Sequence, residues 1–276
     1  MELVKSVISQ NGVAYITLNR PEIHNAFNDE MILEVTKLFK DLENESAVRV
    51  AVLTGEGKSF CAGADLNWMK KMKDYSTEEN YQDAQKLHDM FDTINSFSRP
   101  VIAKINGPAL GGGSGLVACC DYAIAVERAE FGFTEVTLGL LPAVISPFVI
   151  AKIGETHARS YFLNGMRMSA HRAYEIGLIH QVVSDKDRLN DTCDMMVKNF
   201  LKAGPHAAQS AKKLIGNVVY LSQSESIQSA SLRHFICDKI SKIRVGVEAQ
   251  EGMNALLERR NPLWIKVENE NGEVQA

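Results

Sequence analysis

Along the first two thirds of the chain, apolar residues fall into short runs separated by polar and glycine-rich breaks. Val4 to Ile8 and Val13 to Leu18 read as paired strands, with Asn11-Gly12 supplying the hairpin turn. After Asn19-Arg20-Pro21 the period changes. Met31, Val35, Leu38 and Leu42, flanked by Ile32 and Phe39, share one helical face, while Glu34, Lys37, Lys40 and Asp41 occupy the other. Asn28 caps that helix and Asp29 and Glu30 open it, where carboxylates suit the positive end of the helix dipole. Val48 to Leu53 is the next buried strand. Asp65 then caps a helix through Met72, and Ser76 with Glu79 forms a capping box for a long helix to about Phe97.

Val101 to Ile105 reads as a further buried strand, broken at Asn106-Gly107-Pro108 and followed by Gly111-Gly112-Gly113 and an apolar segment ending at Cys119-Cys120. Tyr122 to Val126 is another strand. Pro147 to Ile153, Ala158 to Leu163 and Ala170 to Ile176 read as short helices, and Leu178 to Val183 as a last strand. From Ser184, with Asp187 three residues on, the pattern is helical throughout, with a break at Gly204-Pro205 and a stop at Asn261-Pro262. Strands alternating with helices indicate an α/β fold. The expected organisation is a core over residues 1–200 and a helical region over 201–276.

Composition narrows the function classes. The chain has 276 residues, 45% of them apolar and 23% charged, which are ordinary globular values. No apolar run reaches the roughly 18 residues of a membrane span, and the start lacks a basic region followed by an apolar one, so a cytoplasmic protein is expected. A net charge of -4 with acids and bases interspersed argues against a nucleic-acid face. Five cysteines, two of them adjacent and none in C-x-x-C spacing, argue against a metal site or a disulfide framework.

Three stretches carry candidate chemistry. Gly57-Lys58-Ser59 invites a phosphate-loop reading, but that motif needs glycine five residues earlier, where Val52 stands inside a strand. The run Phe60 to Leu66 and the triple-glycine loop are both small-residue junctions between a strand and a helix, suited to presenting backbone N–H groups to a partial negative charge. Glu135 sits among Phe131, Phe133, Val136 and Leu138, where an acid is either a satisfied structural residue or one tuned for proton transfer.

Cys61-Ala62-Gly63-Ala64-Asp65-Leu66 and Gly107-Pro108-Ala109-Leu110-Gly111-Gly112-Gly113 resemble the enoyl-CoA hydratase/isomerase (crotonase) superfamily, with further matches at Leu18 to Pro21, Asn25-Ala26-Phe27, Phe131-Gly132 with Glu135, Leu138 to Pro142 and Glu258-Arg259-Arg260. The resemblance implies a spiral of β-β-α units with a helical C-terminal trimerisation region, assembled as a homotrimer or dimer of trimers. It implies an acyl-CoA thioester as substrate, coenzyme A being part of that substrate and no separate cofactor or metal being needed. By motif the thioester oxygen falls to the backbone N–H groups of Ala64 and Gly112, and the catalytic acid/base to Glu135. Coenzyme A contacts fall to His24, Ala26, Ala62, Asp65, Leu66 and Arg259; for His24 and Arg259 a plain surface role is equally open.

Hydratases of this family use two glutamates, and the first position is Gly115 here. Asp65 to Met69, Gly111 to Val117, Phe133 to Val136, Leu140 to Val149 and Gln250-Glu251-Gly252 resemble bacterial methylglutaconyl-CoA hydratases, which carry glycine at that position too. The resemblance implies reversible hydration of 3-methylglutaconyl-CoA; the substrate's distal carboxylate is then expected to fill the space left by Gly115. A Δ3,Δ2-enoyl-CoA isomerase also needs only one glutamate. Binding of RNA through Lys37 and Lys40, or of acyl-CoA without turnover, are the non-enzymatic alternatives.

Overall fold

The computed structural model describes residues 2–224, 227, 229–265, 267–268 and 274–275. The apolar runs become strands β1 (Val4–Ile8), β2 (Val13–Leu18), β3 (Val50–Gly55), β4 (Val101–Ile105), β5 (Ala109–Leu110), β6 (Tyr122–Val126), β7 (Glu130–Gly132), β8 (Arg167–Ser169) and β9 (Gln181–Val183). Between them lie α1 (Asp29–Asn44), α2 (Leu66–Met72), α3 (Thr77–Ser96), α4 (Gly112–Cys119), α5 (Ser146–Phe162) and α6 (Ala170–Glu175). Helices α7 (Lys186–Leu201), α8 (Pro205–Ser224), α9 (Ala230–Arg244) and α10 (Val247–Glu258) follow.

The main sheet has the order β1-β2-β3-β4-β6-β9. β1 and β2 are antiparallel, and each later neighbour is parallel. A second line of pairing runs through short segments: Phe27 bridges Ala64, Cys61 bridges Ala109, and β5 pairs with β7, which pairs with β8. Each sheet strand therefore leads to a short extended segment and then to a helix. That step repeats through β2 to α1, β3 to α2, β4 to α4 and β6 to α5, which is the expected β-β-α spiral.

Helix starts follow the expected caps. The Asn28 side chain accepts from Met31 N at 3.0 Å, Asp65 from Asn67 N at 2.6 Å, and Ser76 and Glu79 form a reciprocal capping box. Helix α1 buries Met31, Ile32, Val35, Phe39 and Leu42, and α3 packs between α1 and α4. Phe39, Phe60, Phe91, Phe131 and Phe133 are the largest fully buried side chains. Such burial stabilises by roughly 1.5–3 kcal/mol per side chain and makes these positions rigid supports for the loops above them.

Some expectations change. β7 and β8 are three-residue strands, too short to show a period of two, and were not foreseen. The last strand begins at Gln181 because Leu178 N and His180 N bond to Ala173 O and Ala123 O, outside the ladder. Asp185, not Ser184, caps α7, accepting from Arg188 N at 2.9 Å. A two-residue ribbon, Val267–Glu268 with Val274–Gln275, departs from the all-helical expectation. The two short helices expected around Gly154 are α5, with non-helical Gly154 (φ 70, ψ 166) inside it.

The chain divides into two units, Met1–Phe97 with Val101–Met195, and Ser98–Pro100 with Met196–Ala276. Within the second, the Glu248 carboxylate receives the N–H groups of His206 and Ala207 at 2.9 and 2.8 Å, which pins α10 to the start of α8. Arg260 forks onto Glu251 at 2.6 and 2.8 Å, and the Trp264 indole N–H donates to Lys202 O at 3.0 Å. Among the described residues no helix is long and apolar enough to cross a membrane.

Candidate active site

The two small-residue junctions meet in the first unit. Leu110 N donates to Cys61 O at 3.0 Å, and a Cβ on Gly113 would lie 2.1 Å from Cys61 O, so only glycine lets the loops touch. Gly63 (φ +92) lies against Leu110 O and Gly112 N. Ser114 Oγ donates to Ala109 O at 2.6 Å and accepts from Gly132 N at 3.2 Å, while Gly111 N donates to Gly132 O at 2.8 Å. These bonds tie the glycine loop to β7, the strand that leads directly to Glu135. The 3-10 turn Thr134–Leu138, closed by left-handed Gly139, then presents Glu135 beside the loop, and a Cβ on Gly111 would be 3.4 Å from Glu135 Oε1.

Ala62, Ala64, Leu66, Gly112 and Glu135 all line one cavity of about 400 Å³. Neither the Ala64 nor the Gly112 N–H donates to a protein acceptor among the described residues. For Gly112 the reason is its place as first residue of α4, where a helix leaves its N–H groups unpaired. Glu135 Oε2 is buried without a hydrogen-bond partner. Burial pushes its carboxyl above the ordinary range, against a small lowering effect of its own backbone N–H. Two unpaired N–H donors and one destabilised carboxylate can hold an oxygen that gains negative charge while a proton moves beside it. Cys61, by contrast, is packing material: burial pushes its thiol up to about 12.

The remaining expected residues sort differently. His24 (φ 56) and Ala26 lie next to the first junction, with Ala62 N donating to His24 O at 3.0 Å and His24 Nδ1 2.9 Å from Ser59 Oγ. The Asp65 carboxylate is committed to its helix cap and to Arg20 at 2.7 Å, and Arg20 also donates to Ala26 O. Burial opposes the charge on Asp65, but hydrogen bonds from Asn67 N and Arg20 win, and its pKa is lowered. It fastens the Pro21–Phe27 turn to the start of α2. Arg259 lies in the second unit as the left-handed end of α10 (φ 55).

The Thr54–Ser59 loop, excluded above as a phosphate site, turns carbonyls inward. Asn25 Nδ2 donates to Glu56 O and Ser59 O, and Asn106 Nδ2 to Gly55 O and Gly57 O.

Gly115 does not open a space. A Cβ there would lie 2.4 Å from Ile145 Cγ2 and 3.1 Å from the Phe91 ring, so Ile145 already fills the place of the family's first acid. The expected room for a substrate carboxylate at that point is absent. Below Gly112 the floor is aromatic: Phe27 meets Trp68 and Phe91 edge-on at 6.1 and 6.5 Å. Sequence reasoning missed Asp83 and Asn80, which also line the cavity. The signal was available, since Asp83 stands on the apolar stripe of α3 one turn before Leu87 and in phase with Met90, Phe91 and Ile94.

Comparison with known proteins settles the family. The enoyl-CoA hydratase/isomerase family model matches residues 9–267. The chain belongs to the enoyl-CoA hydratase/isomerase family. It is 30% identical to the 2,3-dehydroadipyl-CoA hydratase of Escherichia coli K12 over 257 residues, covering 93% of this chain and 96% of that one. It is 30% identical to the crotonyl-CoA hydratase of Syntrophomonas wolfei over 258 residues, covering 93% and 95%. The crystal structure of an enoyl-CoA hydratase from Shewanella pealeana superposes with a TM-score of 0.89 at 35% identity, covering 95% of this chain and 96% of that one. Its spiral is the crotonase fold of that family, and an acyl-CoA substrate is consistent with membership of it.

Proposed function

We propose that the protein adds water reversibly to 3-methylglutaconyl-CoA, giving 3-hydroxy-3-methylglutaryl-CoA. The observation that carries the hydration step is the convergence of the unpaired Ala64 and Gly112 amides with Glu135 on one apolar-walled cavity. In the forward direction the thioester oxygen accepts both N–H groups. Glu135 removes a proton from water as the water oxygen bonds to the β-carbon, and negative charge moves onto the thioester oxygen. Glu135 then delivers a proton to the α-carbon. Each amide is worth about 3 kcal/mol to such a step, and acid–base help roughly 10²–10⁴ in rate.

The substrate assignment rests on the subgroup resemblance. It is supported by the name of the Escherichia coli relative, whose acyl group is also dicarboxylic. It is supported too by Gly115, which stands where the family's first acid would be and whose contact with Ile145 fills that place. The same contact favours a second reading, a Δ3,Δ2-enoyl-CoA isomerase in which Glu135 carries a proton between two carbons. RNA binding gains nothing from α1, where Lys37 is paired with Asp41 at 2.8 Å.

In this reading His24, Ala26, Ala62 and Leu66 meet coenzyme A along the first junction, and Arg259 reaches it from a neighbouring copy in a trimer or dimer of trimers. Turnover should be measured on crotonyl-, 3-methylcrotonyl-, 3-methylglutaconyl-, isohexenylglutaconyl- and a 3-enoyl-CoA. Highest kcat/KM on 3-methylglutaconyl-CoA is expected. Preference for the 3-enoyl-CoA would establish the isomerase instead.

A further inference from the structure

Ser114 carries a buried hydroxyl whose bonds leave its own helix. It is 0% exposed and is the third residue of α4. A helical serine or threonine ordinarily satisfies itself on the carbonyl one turn back, as Thr36 Oγ1 does by donating to Ile32 O at 2.7 Å. Ser114 reaches outward instead. Its Oγ lies 2.6 Å from Ala109 O in β5 and 3.2 Å from both the N and the O of Gly132 in β7. With one proton to give, it donates along the shortest contact, to Ala109 O, and accepts the Gly132 N–H.

Those bonds join the two halves of the site. Gly112, two residues before Ser114, offers one of the unpaired amides on the cavity, and Gly132 stands three residues before Glu135. The other links between the halves are slight. β5 and β7 pair over two positions, Ala109 with Phe131 and Leu110 with Gly132, and Gly111 N donates to Gly132 O at 2.8 Å. Gly111 (φ 52, ψ -124) is the bend into α4, and no side chain caps that helix. A glycine bend without a cap leaves the direction of the first helical N–H weakly determined. The Ser114 hydroxyl fixes it by tying the first turn of α4 to both strands at once. Ser114 is not itself on the cavity wall, so it acts through its neighbours.

We propose that Ser114 is a positioning residue whose hydroxyl sets the register between the Gly112 N–H and the Glu135 carboxyl. The oxygen held by the one then lies within reach of the proton moved by the other. Where reacting atoms must meet within about 3–3.5 Å, a displacement of one group against the other lowers the rate of the chemical step more than it weakens binding. The inference rests on the acid–base role given to Glu135 above and names the group that holds it in register.

The test measures steady-state kinetics of Ser114→Ala and Ser114→Cys, each alone and combined with Glu135→Gln, on the acyl-CoA of the panel above that the wild type turns over fastest. Ser114→Ala should lower kcat by about tenfold or more with little change in KM. Ser114→Cys, whose thiol is a weaker donor and acceptor, should fall between it and the wild type. With Glu135 replaced by Gln no base is left to place, so Ser114→Ala should then cost far less in kcat, a coupling that the double-mutant cycle reads directly. A hydroxyl that only supports packing would lower the melting temperature and take the same factor from kcat in both backgrounds. Unchanged kcat in Ser114→Ala, or equal factors in the two backgrounds, would overturn the positioning role. Near-normal turnover in Glu135→Gln would instead overturn the reading on which it rests. Should Ser114→Ala fail to fold, the same comparison with Ser114→Cys decides.

Discussion

Glu135 carries a charge that its site disfavours, and this has a measurable consequence for stability as well as rate. Burial raises its pKa in the folded protein, so the native state holds a proton that the unfolded chain releases near 4.5. The stability from that proton is present below the unfolded value and is lost as pH rises through the raised native value. Glu135→Gln is neutral at every pH. Its melting temperature should match wild type near pH 4 and exceed it near pH 8, a crossing readable by differential scanning calorimetry. The same shift places the acid limb of the wild-type kcat/KM profile above the ordinary carboxylate range, and that limb should vanish in the variant. The sequence pointed to this glutamate through its apolar neighbours and motif. It did not point to Asp83, because an acid inside a charged-rich helix looks solvated until the apolar stripe it shares is traced turn by turn.

At the scale of elements, the site is set by contacts between loops, and these decide what a substitution can do. Gly115→Glu alone drives a side chain into Ile145 and Phe91, and overpacking of this kind costs about 1–3 kcal/mol. The double variant Gly115→Glu with Ile145→Ala removes the obstacle. It should recover part of the lost stability in urea melts and raise crotonyl-CoA hydration above that of the single variant. If the pair behaves no better than Gly115→Glu alone, Ile145 is not what fills that place.

The Arg20–Asp65 pair, with side chains 14% and 8% exposed, holds the first junction to α2. Arg20→Gln removes the charge partner of the buried Asp65 carboxylate, leaving it only its helix cap, and should cost about 3 kcal/mol in equilibrium unfolding. Caps and apolar faces made α1, α2 and α3 legible in advance, since these are local signals. The short strands β7 and β8 were not, because three residues carry no period, and the Ile145–Gly115 contact joins positions thirty apart in the chain. The ion pair that holds the Asp65 carboxylate was not legible either, because it depends on Arg20, forty-five residues earlier.

The whole molecule shows apolar surface concentrated in its second unit, where Val245, Val247, Leu256, Leu257 and Leu263 are each more than three-quarters exposed. Exposed apolar residues at this density mark an interface, and a trimer or dimer of trimers is proposed to cover them. Light scattering after size exclusion should give three or six chains, and Leu256→Asp with Leu257→Asp should shift the mass towards the monomer. The spiral of β-β-α units was legible through its motifs and alternating periods, whereas the exposure of these apolar helix positions was not, because the sequence pattern does not say which apolar residues stay uncovered.

Hydration by a single glutamate between two backbone amides is the claim on which everything else depends. It is tested most directly by the turnover of 3-methylglutaconyl-CoA in Glu135→Gln against wild type, with folding verified by melting. A fall in kcat of roughly 10²–10⁴ with little change in KM is expected. Near-normal turnover in the folded variant would contradict it.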